Sequence, residues 1–364
     1  MTETPIRLER GGYVARGASL ADVPAIAAVV QAAFDRWPAV EIDCSAVEHV
    51  EWKMTSPGTP AGHHTVVTAD DQVVCLKLRW VGRARIDGAE YVTDTGADFA
   101  ADLAYRGRGL GRLLTDFEEG GARSRGDLAM DLPPSNDVVR EHLHAEDIRS
   151  QWLTVWTRPL GLRSTLATLR RQPLALAGAV SRSAGARFRP RGGPRDVEVR
   201  SIDHFDAGAD RLWQAARDSV DFARIRDAAY LNWRYADPRS GRREILGAFV
   251  DDELLGWTVL RLTNTSAQLI DVLLAPRRLD VGAALLASTI DRARELQAHS
   301  LDAWLAPGSQ YEPVLRRAGF AAGSDPIRYE FFAPRGGSTT AELIDRLGDP
   351  NLSTHVTMGD FDFN

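Results

Sequence analysis

The chain has 364 residues, 44% hydrophobic and 26% charged, with a formal net charge of -6. That length exceeds one ordinary core, so two globular domains are expected, and the acidic balance argues against a general nucleic-acid binder. No apolar run approaches the ~18 residues that a membrane helix needs. Only Cys44 and Cys75 are present, too few for a disulfide framework or a cysteine zinc site, and both read as core fillers. Met1 to Pro5 lacks the basic-then-apolar order of a secretion signal, so a cytoplasmic location is expected.

Tyr13 to Arg16 reads as a first strand, and Ser19 to Asp22 as a capping box with Pro24 in the first helical turn. Ile26, Val29, Val30, Ala33 and Phe34 then follow at helical spacing as one buried stripe. Glu41, Asp43, Glu48 and Glu51 form an acidic run, suited either to a cationic amine or to a solvated face. His63 and His64 precede a strand, but adjacent histidines make poor joint metal ligands. Thr65 to Thr68 and Val73 to Leu78 read as two strands joined by a turn at Asp70-Asp71.

Val92 to Ala101 reads as a strand with an irregularity near Gly96, and Leu113 to Glu119 as the start of an amphipathic helix. Between them stand Arg106, Gly107, Arg108, Gly109, Leu110, Gly111 and Arg112. A glycine-rich turn joining a strand to a helix lets backbone N–H groups close around an anion at the positive helix end. It is neither a Walker loop nor G-x-G-x-x-G, since the third glycine arrives one residue early. Asp127 to Leu132 reads as a following strand, Asn136 to Ile148 as a helix and Trp152 to Thr157 as a closing strand.

From about Pro159 to Pro194 arginines occur with no Asp or Glu, which reads as a solvated connector. Beyond it the chain repeats. Glu51-Trp52-Lys53 to Pro57 aligns without gaps on Asn232-Trp233-Arg234 to Pro238, and Asp98 to Gly109 on Asp271 to Gly282. Two blocks in the same order point to a tandem duplication. The second glycine loop is broken: Leu279, Asp280, Val281, Gly282, Ala283 and Ala284 replace Arg106 to Gly111, and the Asp280 carboxylate repels phosphate.

The R-x-x-G-x-G pattern of Arg106 to Gly111 resembles the acyl-CoA pyrophosphate loop of the GNAT acyltransferase superfamily. The whole chain resembles bacterial tandem-GNAT N-acyltransferases, through Trp52-Lys53, Asp98, Tyr105 to Gly111, Ser135-Asn136, Tyr230 to Tyr235, Ala318-Gly319-Phe320 and Thr357 to Asp362. The resemblance implies an α/β fold of two tandem GNAT-like domains, each a mixed, mostly antiparallel sheet flanked by helices. Their expected spans are 1–160 and 196–335, with a basic linker 161–195 and a tail 336–364. It also implies direct acyl transfer from acyl-CoA to an amine without naming the acceptor. Acetyl-CoA or another acyl-CoA and the primary amine of a small molecule are the expected substrates, and composition leaves neither nucleic acid nor membrane as an expected partner. Arg106 to Arg112 and Asn136 are the expected cofactor contacts, with acyl-CoA in the first domain only.

Amide formation from a thioester needs a neutral amine, a polarised carbonyl and a stabilised thiolate. Backbone N–H groups of Phe99, Ala100 and Ala101 are placed to bind the carbonyl and the pantetheine arm. Asp94 and Asp98 alternate so as to share one strand face, and either is placed to receive the amine proton. The family's tyrosine after the Asn is missing here, along with its Gly-Phe. His142 and His144 are the nearest replacements, and His144 is favoured as proton donor. The competing readings are a catalytically silent acyl-CoA-binding module and a tRNA-dependent aminoacyl transferase.

Overall fold

The computed structural model describes residues 7–35, 37–38, 40–60, 62–118, 128–133, 148–161, 196–263, 265–333 and 339–361. The first half opens with a hairpin of β1 (Arg7–Arg10) and β2 (Tyr13–Gly17). Ser19 and Asp22 make the expected reciprocal cap, but around a single 3-10 turn, and α1 (Val23–Ala33) starts directly after it. Next come α2 (Ala46–Met54), β3 (Thr65–Ala69), β4 (Gln72–Ile86), β5 (Ala89–Ala101), α3 (Leu110–Phe117), β6 (Leu128–Asp131) and β7 (Ile148–Pro159). The second half comprises β8 (Glu198–Ser201), α4 (Ala207–Ala216), β9 (Phe222–Arg224), α5 (Ala228–Leu231), β10 (Arg243–Val250), β11 (Glu253–Leu262) and β12 (Ala267–Leu274). It closes with α6 (Leu279–Glu295), β13 (Ser300–Leu305), α7 (Glu312–Arg317), β14 (Ala321–Ala322), β15 (Ile327–Phe332), α8 (Ala341–Leu347) and β16 (Thr354–His355).

Each half is a mixed sheet between helices. In the first, Ile26, Val30 and Val50 of α1 and α2 pack on Leu76 and Leu78 of one sheet face. Leu110, Leu113 and Phe117 of α3 cover Val67 and Cys75 on the other. In the second, α6 and α7 bury Leu285, Ile290 and Leu315 against β12 and β13. A third cluster joins the halves, with Trp52 and Trp80 from the first packed on Trp213, Trp233 and Trp257 from the second. The repeat is visible in its symmetry. Trp52 and Trp233 stack at 5.1 Å, and each indole N–H donates to the other's carbonyl, at 2.7 and 3.0 Å.

The two sheets are fused by exchange of their closing strands. Strand β6 pairs antiparallel with β15 from the second half, while β13 pairs antiparallel with β7 from the first. Strands β7 and β15 also pair with each other, so the order runs β5-β6-β15-β7-β13-β12. The expected closing strand of the first half thus closes the sheet of the second. The tail is structural too: β16 pairs parallel with β9, and Val356, Met358 and Phe361 are buried.

Candidate active site

Arg106 is extended, and Gly107 and Gly109 both adopt φ 76°, the left-handed region that glycine reaches without a steric penalty. Gly109 caps α3, whose first-turn N–H groups have no acceptor within the helix. Among the described residues, a Cβ on Gly107 or Gly109 would have no heavy atom within 4 Å, so the space beside both glycines is open. Gly111 has a different task. A Cβ there would come within 2.8 Å of the Phe99 ring, so its smallness lets β5 and the start of α3 adjoin.

Around this loop the cations are already oriented. The Arg106 guanidinium donates to the Ala33 carbonyl at 3.1 Å, and Arg108 to the Tyr13 hydroxyl at 3.1 Å and the Ala104 carbonyl at 3.0 Å. Arg112 turns along the helix to Asp116 at 2.6 Å. Phe99, Ala100 and Ala101 pair with Lys77, Leu76 and Cys75 of β4 on one edge. On the other edge the parallel pairing with β6 covers only Thr93 and Asp94. Past it the strands diverge, bridged where the Gly96 N–H donates to Asp131 Oδ1 at 2.6 Å.

The irregularity expected near Gly96 is a bulge: Lys77 faces Phe99 and Arg79 faces Gly96, so Ala97 and Asp98 together oppose Leu78. This overturns the expectation that Asp94 and Asp98 share a face, because one extra residue inverts the alternation. Asp98 faces α2, where Lys53 Nζ donates to it at 2.6 Å and Trp37 Nε1 at 3.0 Å. Lys53 is fully buried. Asp94 lies on the α3 side, bonded by Arg79 Nε at 2.6 Å with His63 Nε2 at 3.5 Å. Burial alone would raise the Asp94 pKa, but the Arg79 charge outweighs it and holds the carboxylate well below its usual range.

Asp131 was not singled out from the sequence. Burial pushes its pKa up to about 6, with the Asp94 charge acting the same way against Arg79. His64, bonded to the Met54 carbonyl at 3.3 Å, is driven down to about 4 by burial. Cys75 is pushed up to about 12 by burial, as befits a core filler. The acidic run holds no pocket together: Glu41, Asp43 and Glu48 are exposed, and Glu48 is engaged as the reciprocal cap of α2 with Ser45 at 2.7 Å. Asn136, His142 and His144 lie outside the described residues, as does nearly all of the basic linker.

The second half carries the same bulge at the matching place. Val259 faces Asp271 and Leu260 faces Leu269, leaving Ile270 as the extra residue. The loop after it differs. Helix α6 begins at Leu279, so Asp280, Val281 and Gly282 are helical where Gly107 and Gly109 form an open turn. A Cβ on Gly282 would meet Leu274 at 2.6 Å, and Asp280 pairs with Arg278 at 2.9 Å. Asp271 is bonded by Arg226 at 3.1 Å and by the Tyr235 hydroxyl at 2.8 Å. His355 of the tail stacks edge-on against Tyr311, and a Cβ on tail residue Gly359 would collide with the Tyr235 hydroxyl and the Ile270 carbonyl.

With the bulge, the diverging pair and the glycine loop in place, the chain can be set beside the solved structures it resembles. It has the GNAT fold. A GCN5-related N-acetyltransferase from Kribbella flavida matches with TM-score 0.56 and 16% identity, over 89% of this chain and 71% of that one. One from Anabaena variabilis matches with TM-score 0.59 and 10% identity, over 88% and 72%. The N-myristoyltransferase of Saccharomyces cerevisiae, solved with bound myristoyl-CoA and inhibitors, matches with TM-score 0.57 and 12% identity, over 91% and 82%. No protein-family model and no curated protein matches the sequence.

Proposed function

We propose that this GNAT-fold chain is an acyl-CoA-dependent N-acyltransferase that acylates the primary amine of a small molecule, using one cofactor site in its first half. The open loop of Gly107 and Gly109 at the start of α3 carries the proposal. Its fit to a pyrophosphate is chemical. Backbone N–H groups of a glycine turn at the positive helix end are proposed to close around it, with Arg106 and Arg108 beside the turn. Acetyl-CoA is the first donor to test.

The acyl-CoA thioester supplies the electrophile. Phe99 to Ala101, with their β6-side edge uncovered by any strand among the described residues, are proposed to bind the pantetheine arm and the carbonyl. The amine nitrogen attacks the carbonyl carbon, the C–S bond breaks, one proton leaves nitrogen and one joins sulfur. The products are an amide and free CoA thiol. Of the two strand carboxylates, Asp98 is the proposed proton acceptor, because it stands beside the bulge on the α2 face. Asp94 is committed to Arg79 on the opposite face and is assigned to structure. His144 is kept as the proposed donor to the thiolate.

Asp98→Asn tests this reading. Removing a positioned general base lowers turnover by roughly 100-fold or more, with acetyl-CoA affinity retained. Thiol release from acetyl-CoA across an amine panel is the assay. Tight acetyl-CoA binding with no thiol released for any amine would instead identify a silent binding module.

A further inference from the structure

On the α2 face of β4 and β5, a group of buried polar atoms has no hydrogen-bond partner among the described residues. Arg224, 1% exposed, donates through Nη2 to the Thr95 hydroxyl, while its Nε and Nη1 meet no acceptor. Arg234 donates through Nε and Nη2 to the carbonyls of Gly359 and Phe361, at 3.2 and 2.9 Å, while its Nη1 meets none. Thr93 Oγ1, Tyr230 Oη and Asp360 Oδ1 are likewise unpartnered. These groups adjoin. A Cβ on Gly82 would lie 3.0 Å from Arg224 Nη1 and 3.2 Å from Thr93 Oγ1. Tyr230 is within electrostatic reach of Arg224, Asp360 and Arg234, and Arg234 lies 4.1 Å over the Trp80 ring.

The charges do not balance. Asp271 and Asp360 are both taken by Arg226, at 3.1 and 2.9 Å. That leaves Arg224 and Arg234 without an ion-pair partner among the described residues. The Asp360 charge also reaches Arg224, yet Arg224 Nε and Nη1 and Arg234 Nη1 still lack an acceptor, and buried N–H groups left so call for an anion's oxygens.

Its position says which anion. Gly82 pairs with Thr93 and Trp80 with Thr95, and the same face then runs to the bulge at Ala97 and Asp98. Three residues of strand separate Thr95 from Asp98, about 10 Å at ~3.3 Å per residue. An anion on Arg224 and a reacting nitrogen beside Asp98 are therefore one small molecule apart.

We infer that the acceptor is a small primary amine bearing a carboxylate or phosphate, which Arg224 and Arg234 hold while its amine faces the bulge. This rests on the proposed transfer reaction. It departs from the cationic acceptor that the run Glu41 to Glu51 suggests, since those carboxylates are solvated or engaged in capping.

The test is thiol release from acetyl-CoA by the full-length protein with matched amines: α-amino acids, their primary amides, ethanolamine and O-phosphoethanolamine. At least a tenfold higher kcat/KM for the anionic amines is expected. The preferred arm, amino acid or phosphoamine, identifies the anion. Arg224→Met abolishes the preference by raising KM, with acetyl-CoA affinity unchanged. Gly82→Ala, which crowds Arg224 Nη1 and Thr93 Oγ1, weakens it and serves if Arg224→Met does not fold. Equal turnover of anionic and neutral amines overturns the inference and leaves the transfer reaction standing. If no amine releases thiol, the transfer reaction falls, and melting-temperature shifts decide the anion site separately. A shift with the anionic amines that Arg224→Met removes supports the site, and no shift overturns it.

Discussion

Arg106 to Gly111 and Leu279 to Ala284 follow equivalent strands with equivalent bulges, yet one is an open turn and the other is helix. The first keeps two left-handed glycines, and among the described residues no heavy atom lies within 4 Å of a Cβ placed on either. The second has Leu279 and Asp280 at helical positions, Gly282 pressed on Leu274, and a tail packed over the bulge. The same contrast runs through the carboxylates. Asp98 keeps a lysine and an indole near the proposed reacting centre, whereas Asp271 is locked into a buried arginine–tyrosine network. The two halves share the backbone device of the bulge, and in the second the place of the loop is filled by packing.

The largest expected effect of breaking that contrast is on cofactor affinity. In Gly109→Glu a carboxylate about 4 Å from the pyrophosphate costs about 1–4 kcal/mol, a loss of about 5- to 1,000-fold. Gly282→Glu overpacks the contact with Leu274, so its melting temperature falls while acetyl-CoA affinity in the folded protein is unchanged. Equal loss of affinity in both variants would mean that the two loops share the cofactor.

The largest expected effect on stability lies in the second half. Arg226 is fully buried between Asp271 and Asp360. Arg226→Met strands two carboxylates and is expected to cost about 3–5 kcal/mol, read as a lower denaturation midpoint. A midpoint within error of the wild type would deny the tail its anchoring role.

Each half also buries a neutral histidine. Burial depresses His64 to about 4 and His355 to about 3, against an ordinary 6.5. The unfolded chain therefore takes up protons first. This stability is complete above about 6.5 and is lost as pH falls toward the folded values. Melting curves from pH 7.5 to 4.5 are expected to fall, and His64→Gln or His355→Gln to flatten the fall. Unaltered slopes in both variants would contradict the assignment.

The smallest effect belongs to Arg112. Its pair with Asp116 is exposed and follows the helix away from the loop, so Arg112→Ala is expected to cost about 0.3–0.5 kcal/mol of stability. A tenfold loss of acetyl-CoA affinity in Arg112→Ala would show that the side chain swings to the cofactor.

The fold and the loop were legible because their signals are local. Three alternating glycines between a strand and a helix specify a turn, and two gapless blocks specify a repeat. The face of Asp94 was not legible, since Gly96 marks an irregularity but does not say that a residue is inserted there to invert the alternation from Asp94 to Asp98. The exchange of β7 and β15 was hidden for a related reason: the pattern of a strand does not name its partner. Arg224 reads as an ordinary charged residue near a strand end, and only the packing of Gly82, Thr93 and Tyr230 around it reveals an unpaired cation. For the tail, Val356, Met358 and Phe361 were the available hint, an apolar spacing too short to be read alone.

Calorimetric titration of the full-length chain with acetyl-CoA tests the one-site claim most directly. The contrast between the two loops predicts one molecule bound per chain, with the heat abolished by Gly109→Glu and retained by Asp280→Ala. Two molecules per chain, or undiminished binding in Gly109→Glu, would contradict it.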